Sequence, residues 1–108
     1  MSAPSENETW IIEAGDDVIQ KEARDGASSL SPKERLIYCL WVADYGMRNA
    51  GDLQAARDVH AIFQSEGLEL ARDLRLVHTQ AAFALSEADL QREYFQRFDK
   101  ICDEIRYA

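Results

Sequence analysis

Few residues in this chain combine reactive chemistry with a setting that would tune it. Asp44 is the clearest. It is the single acid within Leu36–Met47, "LIYCLWVADYGM", the most apolar stretch of the sequence. A carboxylate on a buried helix must be hydrogen-bonded or ion-paired, or its pKa rises until it is neutral. Arg48, one helical turn later and in the favourable acid-before-base order, is the first partner the spacing offers. Backbone amides of the Asn49–Asp52 turn and a Ser or Thr hydroxyl of a packed neighbour are the others. The expected role is a brace for the turn that leaves the helix. The alternative is a small-ligand or catalytic pocket in which Asp44 and Arg48 converge with His60 or His78.

The remaining reactive side chains form no pattern that requires chemistry. His60 and His78 lack an HExxH motif or an i, i+4 ligand partner. Glu66 and Glu69 flank one predicted turn, Asp73 falls one helical turn after Glu69, and the three read as a solvated charged face. Cys39 and Cys102 have neither a CxxC partner nor a histidine at metal spacing, so both are expected to be buried free thiols of a reducing compartment. Ser65 and Ser86 look like helix-end residues. The five glycines make no G-x-S-x-G, P-loop or GxGxxG arrangement. No catalytic residue, cofactor or metal is expected, and the chain is not read as an enzyme.

The elements that must position these residues are helical. Strand-like alternation is absent and helix formers dominate, which predicts an all-α fold: a compact single-domain bundle of about five helices around a central apolar one. The domain spans residues 1–108, with 1–5 expected to be flexible. The first helix is predicted over Glu6–Arg24, with Trp10, Ile11, Ala14, Val18 and Ile19 on one side and Gly15-Asp16-Asp17 as a candidate break or kink. Asp25–Ser29 is a linker. The second helix has a strong start: Ser31 as N-cap, Pro32 at the first helical position and Glu34 to complete a capping box. It ends near Arg48, where Asn49 or Gly51 can take the left-handed backbone. Its apolar residues run almost all the way round, so it is expected to be central, with Tyr38 and Trp41 as large packing elements.

Asp52 is placed to cap a third helix over Leu53–Ser65, with Ala56, Val59, Ile62 and Phe63 inward and Gly67 as terminator. A fourth is predicted over Leu68–Leu85, with Leu70, Leu74, Val77 and Ala81 on one stripe. The last, Glu87–Arg106, starts at Ser86 and carries Leu90, Tyr94, Phe98, Ile101 and Ile105 at core spacing.

Charge narrows the partners. The 108 residues carry 20 acids against 12 Lys and Arg, a net charge of −8. Residues 1–20 include Glu6, Glu8, Glu13, Asp16 and Asp17 and no Lys or Arg. Direct binding to DNA or RNA needs clustered cations and is disfavoured. An acidic surface favours basic partners, including proteins that themselves hold nucleic acid. No run approaches the roughly 18 apolar residues of a membrane span, and the N-terminal "MSAPSENETW" is acidic, so a cytoplasmic protein is expected.

The stretch "LSPKERLIYCLWVADYGMRNAGDLQ" resembles the characteristic segment of a bacterial family of unknown function that includes an acidic, dimeric DNA-mimic protein. That family shows a Ser/Thr-Pro start, a Tyr-x-x-Trp helix, an Asp in its last turns, an Asn-Gly-Gly turn and a Gln in the next helix. Ser31, Pro32, Tyr38, Trp41, Asp44, Asn49, Gly51 and Gln54 fit that pattern. The C-terminal "LSEADLQREYFQRFDKICDEI" is similar to the family's closing helix. The chain departs from the pattern at Gly46, where the family has an acid, and at Asp52, Ala55 and Ala56, where Phe is common. The resemblance covers about half of the chain and implies a compact helical domain. For function it implies an acidic protein-binding module, DNA-mimic-like, that engages a basic nucleic-acid-binding protein. The surface expected to do so comprises Glu6, Glu13, Asp16 and Asp17 with Glu66, Glu69 and Asp73. An immunity-type inhibitor of a basic toxin enzyme fits the same electrostatics. A homodimer would cover apolar surface that short helices leave open.

Overall fold

The computed structural model describes residues 5–108, and helix α2, Pro32–Asn49, runs through their centre. The capping box forms as the residue types dictate. Ser31 Oγ accepts from the Glu34 amide at 3.1 Å, and Glu34 Oε1 accepts from the Ser31 amide at 2.9 Å. The Ser31 amide and then the Lys21 ammonium hold the Glu34 carboxyl below its usual range. Leu36, Ile37, Cys39, Leu40, Val42, Ala43 and Met47 are buried around this helix, which α1, α3, α4 and α6 surround. Those are Glu6–Asp25 (α1), Gln54–Val59 (α3), Phe63–Asp73 (α4) and Glu87–Arg106 (α6); Val77–Phe83 (α5) packs between α4 and α6, and a 3-10 turn at Ala27–Ser29 follows α1. The described residues are 82% helical and contain no strand. Their radius of gyration, 12.9 Å, matches the roughly 13 Å of one compact domain of this length. No helix among them is long and apolar enough to cross a membrane.

Among the described residues, six α-helices replace the expected five because two predicted helices break at other places. Residues 1–4 of the stretch expected to be flexible lie outside the described residues, whereas Ser5 caps α1, its Oγ accepting from the Glu8 amide. α1 does not break at Gly15-Asp16-Asp17. Gly15 lies against Trp41, and a Cβ there would overlap the indole, so this glycine marks close helix packing. Gly67 likewise does not end a helix. It is buried inside α4, and a Cβ would stand 2.9 Å from the Phe83 ring.

The true breaks are at residues 60–62 and 74–76. His60 leaves α3 with extended backbone (φ −147°, ψ 96°), and the chain re-enters helix at Phe63. Phe63 and Ala56 are buried as expected, but Val59 and Ile62 are 45% and 56% exposed, because the break removes them from the shared face. At the end of α4, the Arg75 amide bonds Arg72 O at 3.1 Å and the Leu76 amide bonds Ala71 O at 2.9 Å. This is a Schellman closure, and both Leu76 and Ala71 are buried. Its left-handed residue is Arg75, φ 59°, where glycine is usual. α5 then restarts in its own register. Thr79, Ala82 and Phe83 are buried, while Val77 is 70% exposed and Ala81 faces solvent, contrary to the continuous stripe predicted. Glu104 of α6 caps α5, accepting from the His78 amide, the Thr79 amide and Thr79 Oγ1 at 2.7–2.8 Å.

Gly51 carries the exit from α2 at φ 74°, and Asp52 Oδ1 accepts from the Ala55 amide at 3.1 Å, as expected of a cap for α3. The α2–α3 crossing is close: a Cβ on Gly46 would stand 2.8 Å from Asp52 O and 2.9 Å from the Ala56 amide nitrogen. A side chain at this position would have no room.

Arg75 supplies a direct check. A non-glycine residue in the left-handed region costs about 1–2 kcal/mol, against about 0.5–1 kcal/mol for the extra backbone freedom of glycine. Arg75→Gly should therefore stabilise the protein by about 0.5–1 kcal/mol in urea denaturation; a lower midpoint would mean Arg75 makes a compensating contact.

Candidate functional site

Asp44 is 5% exposed and fully engaged. Arg48 Nε lies 3.0 Å from both of its carboxylate oxygens, and Tyr94 donates its hydroxyl to Oδ1 at 2.6 Å. Arg48 extends the network to α1 through Glu8 Oε1 at 3.3 Å, and its guanidinium stacks within about 5 Å of the Phe95 and Phe98 rings. Burial, then the Asp44 carboxylate, push the Tyr94 phenol well above its ordinary value. The expected Arg48 pair is present. The hydroxyl comes from a tyrosine on α6 rather than from Ser or Thr. Tyr94 was legible only as a core residue, although a buried tyrosine needs a partner for its hydroxyl.

This arrangement ties α1, α2 and α6 together, and it is not a pocket with the histidines. His78 lines a different cleft with Glu93, Arg97 and Lys100, while His60 faces a cleft on the side of α4. Asn49 donates to Tyr45 O at 2.9 Å and so closes the last turn of α2. Gln54 is exposed at the start of α3. Tyr38, Trp41 and Tyr45 stack in sequence along α2, with ring centroids 6.3 and 5.7 Å apart. Trp41 and Val59 border a shallow groove whose other wall is Ile19 and Ala23 of α1.

The acidic residues predicted to form one surface divide into three settings. Glu13, Asp16 and Asp17 are exposed on α1. Glu6 is exposed on the same helix and meets Arg106 Nη2 at 3.0 Å. Glu69 and Asp73 are exposed on α4. Glu66 departs from the solvated face assigned to it. Its side chain is only 17% exposed, because it turns inward toward α2.

There Glu66 meets groups that sequence spacing kept apart. Cys39 Sγ lies 3.5 Å from Glu66 Oε1, and His60 Nε2 and Arg35 Nη2 each lie 3.6 Å from Oε2. One ligand atom each of Cys39, His60 and Glu66 falls within a common 4.8 Å. His60 Nε2 is buried and has no hydrogen-bond partner, since 3.6 Å is too long for one. Burial and then the Glu66 carboxylate push the Cys39 thiol far above its ordinary range. The cluster opens onto a cleft of about 440 Å³ bordered by Leu30, Arg35, Tyr38 and Ser28. Histidine at metal spacing was not visible from Cys39 because the α3–α4 break, rather than a regular interval, brings it there.

Compared with known proteins, the chain matches no family model, no curated protein and no solved structure.

Two substitutions test the Asp44 network. Breaking a fully buried ion pair costs about 3–5 kcal/mol. Arg48 is 32% exposed and keeps Glu8, so Asp44→Ala should cost about 2–3 kcal/mol, a fall in melting temperature on the order of 10 °C. Tyr94→Phe should cost about 1.5–3 kcal/mol at neutral pH, the range for a hydrogen bond to a charged group. The pH dependence has a defined sign. Above about pH 10 the unfolded tyrosine loses its proton while the folded one keeps it, so this contribution is complete below pH 10 and lost as pH rises toward the folded pKa. The stability gap between wild type and Tyr94→Phe should therefore narrow above pH 10; a constant gap would exclude the coupling.

Proposed function

We propose that the protein is an acidic protein-binding module whose α1 surface occupies the basic, nucleic-acid-holding face of a partner protein. The observation that carries this reading is the outer side of α1, where Glu13, Asp16 and Asp17 are exposed on a helix with no Lys or Arg before Lys21. Glu13 and Asp17 are one helical turn apart, about 6 Å along the axis, with Asp16 beside them, whereas Glu6, two turns earlier, is paired with Arg106. Such a ridge holds negative charge at intervals comparable to those between phosphates.

The distribution of cations supports the same reading. Lys21, Arg24, Arg35, Arg48, Arg57, Arg92, Arg97 and Arg106 are each paired with a carboxylate of this chain. Negative charge is left uncompensated on the outer side of α1, at Glu13, Asp16 and Asp17, whereas Glu69 and Asp73 on α4 share their helix with exposed Arg72. Ile12, 60% exposed, shares the side of α1 that carries Asp16 and Ile19, next to the Trp41 groove. Apolar and aromatic anchors flanked by acids suit a protein partner, because aromatic side chains contribute most of the energy at such contacts and charge sets orientation and rate.

The experiment is capture from native lysate on wild-type protein and on a Glu13→Gln, Asp16→Asn, Asp17→Asn variant, at low and high salt. A basic protein should be retained by the wild type at low salt, released at about 0.5 M salt as screening shortens, released by added duplex DNA, and at least tenfold depleted on the variant. Equal retention by both proteins, or a salt-insensitive complex, overturns the reading.

A further inference from the structure

We infer that Cys39, His60 and Glu66 form a zinc-binding site, with Cys39 Sγ, His60 Nε2 and a Glu66 carboxylate oxygen as ligands and the fourth position turned toward the adjoining cleft. Thiolate, imidazole and carboxylate are the three ligand types that zinc takes from proteins, and a site with three protein ligands and one open position differs from the closed four-ligand sites that only support folding.

The geometry is close to that required. Zinc bonds of about 2.0–2.3 Å in a tetrahedron give ligand-to-ligand edges of roughly 3.3–3.8 Å. Cys39 Sγ lies 3.5 Å from Glu66 Oε1 and His60 Nε2 lies 3.6 Å from Glu66 Oε2, so whichever carboxylate oxygen is the ligand, one edge is already at tetrahedral length. The other two separations lie within 4.8 Å, so side-chain adjustments of about 1 Å close the site. The orphaned His60 nitrogen is the second observation. A buried ring nitrogen without a hydrogen-bond partner carries a desolvation cost that a metal bond would remove.

Position in the fold supports the assignment. Cys39 stands on the rigid central helix, Glu66 on α4, and His60 on the short connection whose extended backbone swings its ring under α4. In one unbroken helix, residues six apart would point to different sides; the break at 60–62 brings His60 and Glu66 together. Charge also balances. Zn²⁺ binding displaces the Cys39 thiol proton to solvent, and thiolate plus carboxylate neutralise the dication. Arg35 competes for Glu66 Oε2, but its side chain is 47% exposed and can withdraw into solvent.

The test uses the full chain, with Co²⁺ as a spectroscopic probe and Zn²⁺ in competition with a chromophoric chelator. One equivalent of Co²⁺ should produce tetrahedral d–d bands and a thiolate-to-cobalt charge-transfer band, both abolished by one equivalent of Zn²⁺. Cys102→Ser should leave these spectra unchanged. Cys39→Ser should remove the charge-transfer band. His60→Ala lies at a half-buried connection and can be checked for folding by its circular dichroism. It should weaken Zn²⁺ binding more than about 100-fold, beyond the 10- to 100-fold expected of an outer-shell change. Absence of the cobalt spectrum in folded wild type, or a spectrum that survives both Cys39→Ser and His60→Ala, overturns the site.

Discussion

The carboxylate of Asp44 must be satisfied without water, and much of the architecture follows from how this is done. Its oxygens face Arg48 from the same helix and Tyr94 from α6, and Arg48 reaches onward to Glu8 on α1. Three helices are thereby held in one register around a single buried charge. An ion pair of this kind adds little net stability over a well-packed apolar replacement, but an uncompensated member is costly. The network therefore penalises alternative packings: any arrangement that separates α2 from α6 deprives the carboxylate of its Tyr94 donor. Arg48 resting on Phe95 and Phe98 adds a contact between the same two helices.

Around that fixed centre, the helices approach one another where side chains are missing. Gly15 admits the Trp41 indole, Gly46 admits the backbone of α3, and Gly67 admits the Phe83 ring. Each is inside a helix, where glycine costs roughly 1 kcal/mol in propensity relative to alanine. Close packing offsets that cost, since a methyl group at Gly46 would meet backbone atoms, which cannot move aside as a flexible side chain can. The α2–α3 crossing at Gly46 also sets the direction in which the chain reaches His60.

The two surfaces of interest are consequences of the same scaffold. α1 packs one side on α2 and α6, which leaves Glu13, Asp16 and Asp17 outward as a ridge. The interrupted path through α3 and α4 brings Cys39, Glu66 and His60 together beside an open cleft that Glu22 of α1 also borders. The first is a matter of long-range charge and the second of atoms within 5 Å.

What the sequence determined by itself was local or periodic. The Ser31–Glu34 capping box, the Ser86 cap, the turn at Gly51, the core stripe of α6 and the all-round apolar character of α2 each depend on residues within a few turns of one another, and each formed as read. The Asp44–Arg48 pair belongs to the same class. Tertiary structure alone decided where helices break. Gly67 carried the local signal of a terminator yet serves packing, while Arg75 closes a helix without the glycine that would announce it. It alone decided which distant residues meet: Tyr94 with Asp44, and Cys39 with His60 and Glu66. The physical reason is common to all of these. Capping and periodicity are enforced by bonds within one helix, whereas a break or a cluster is chosen by whichever path lets several helices bury their apolar faces together.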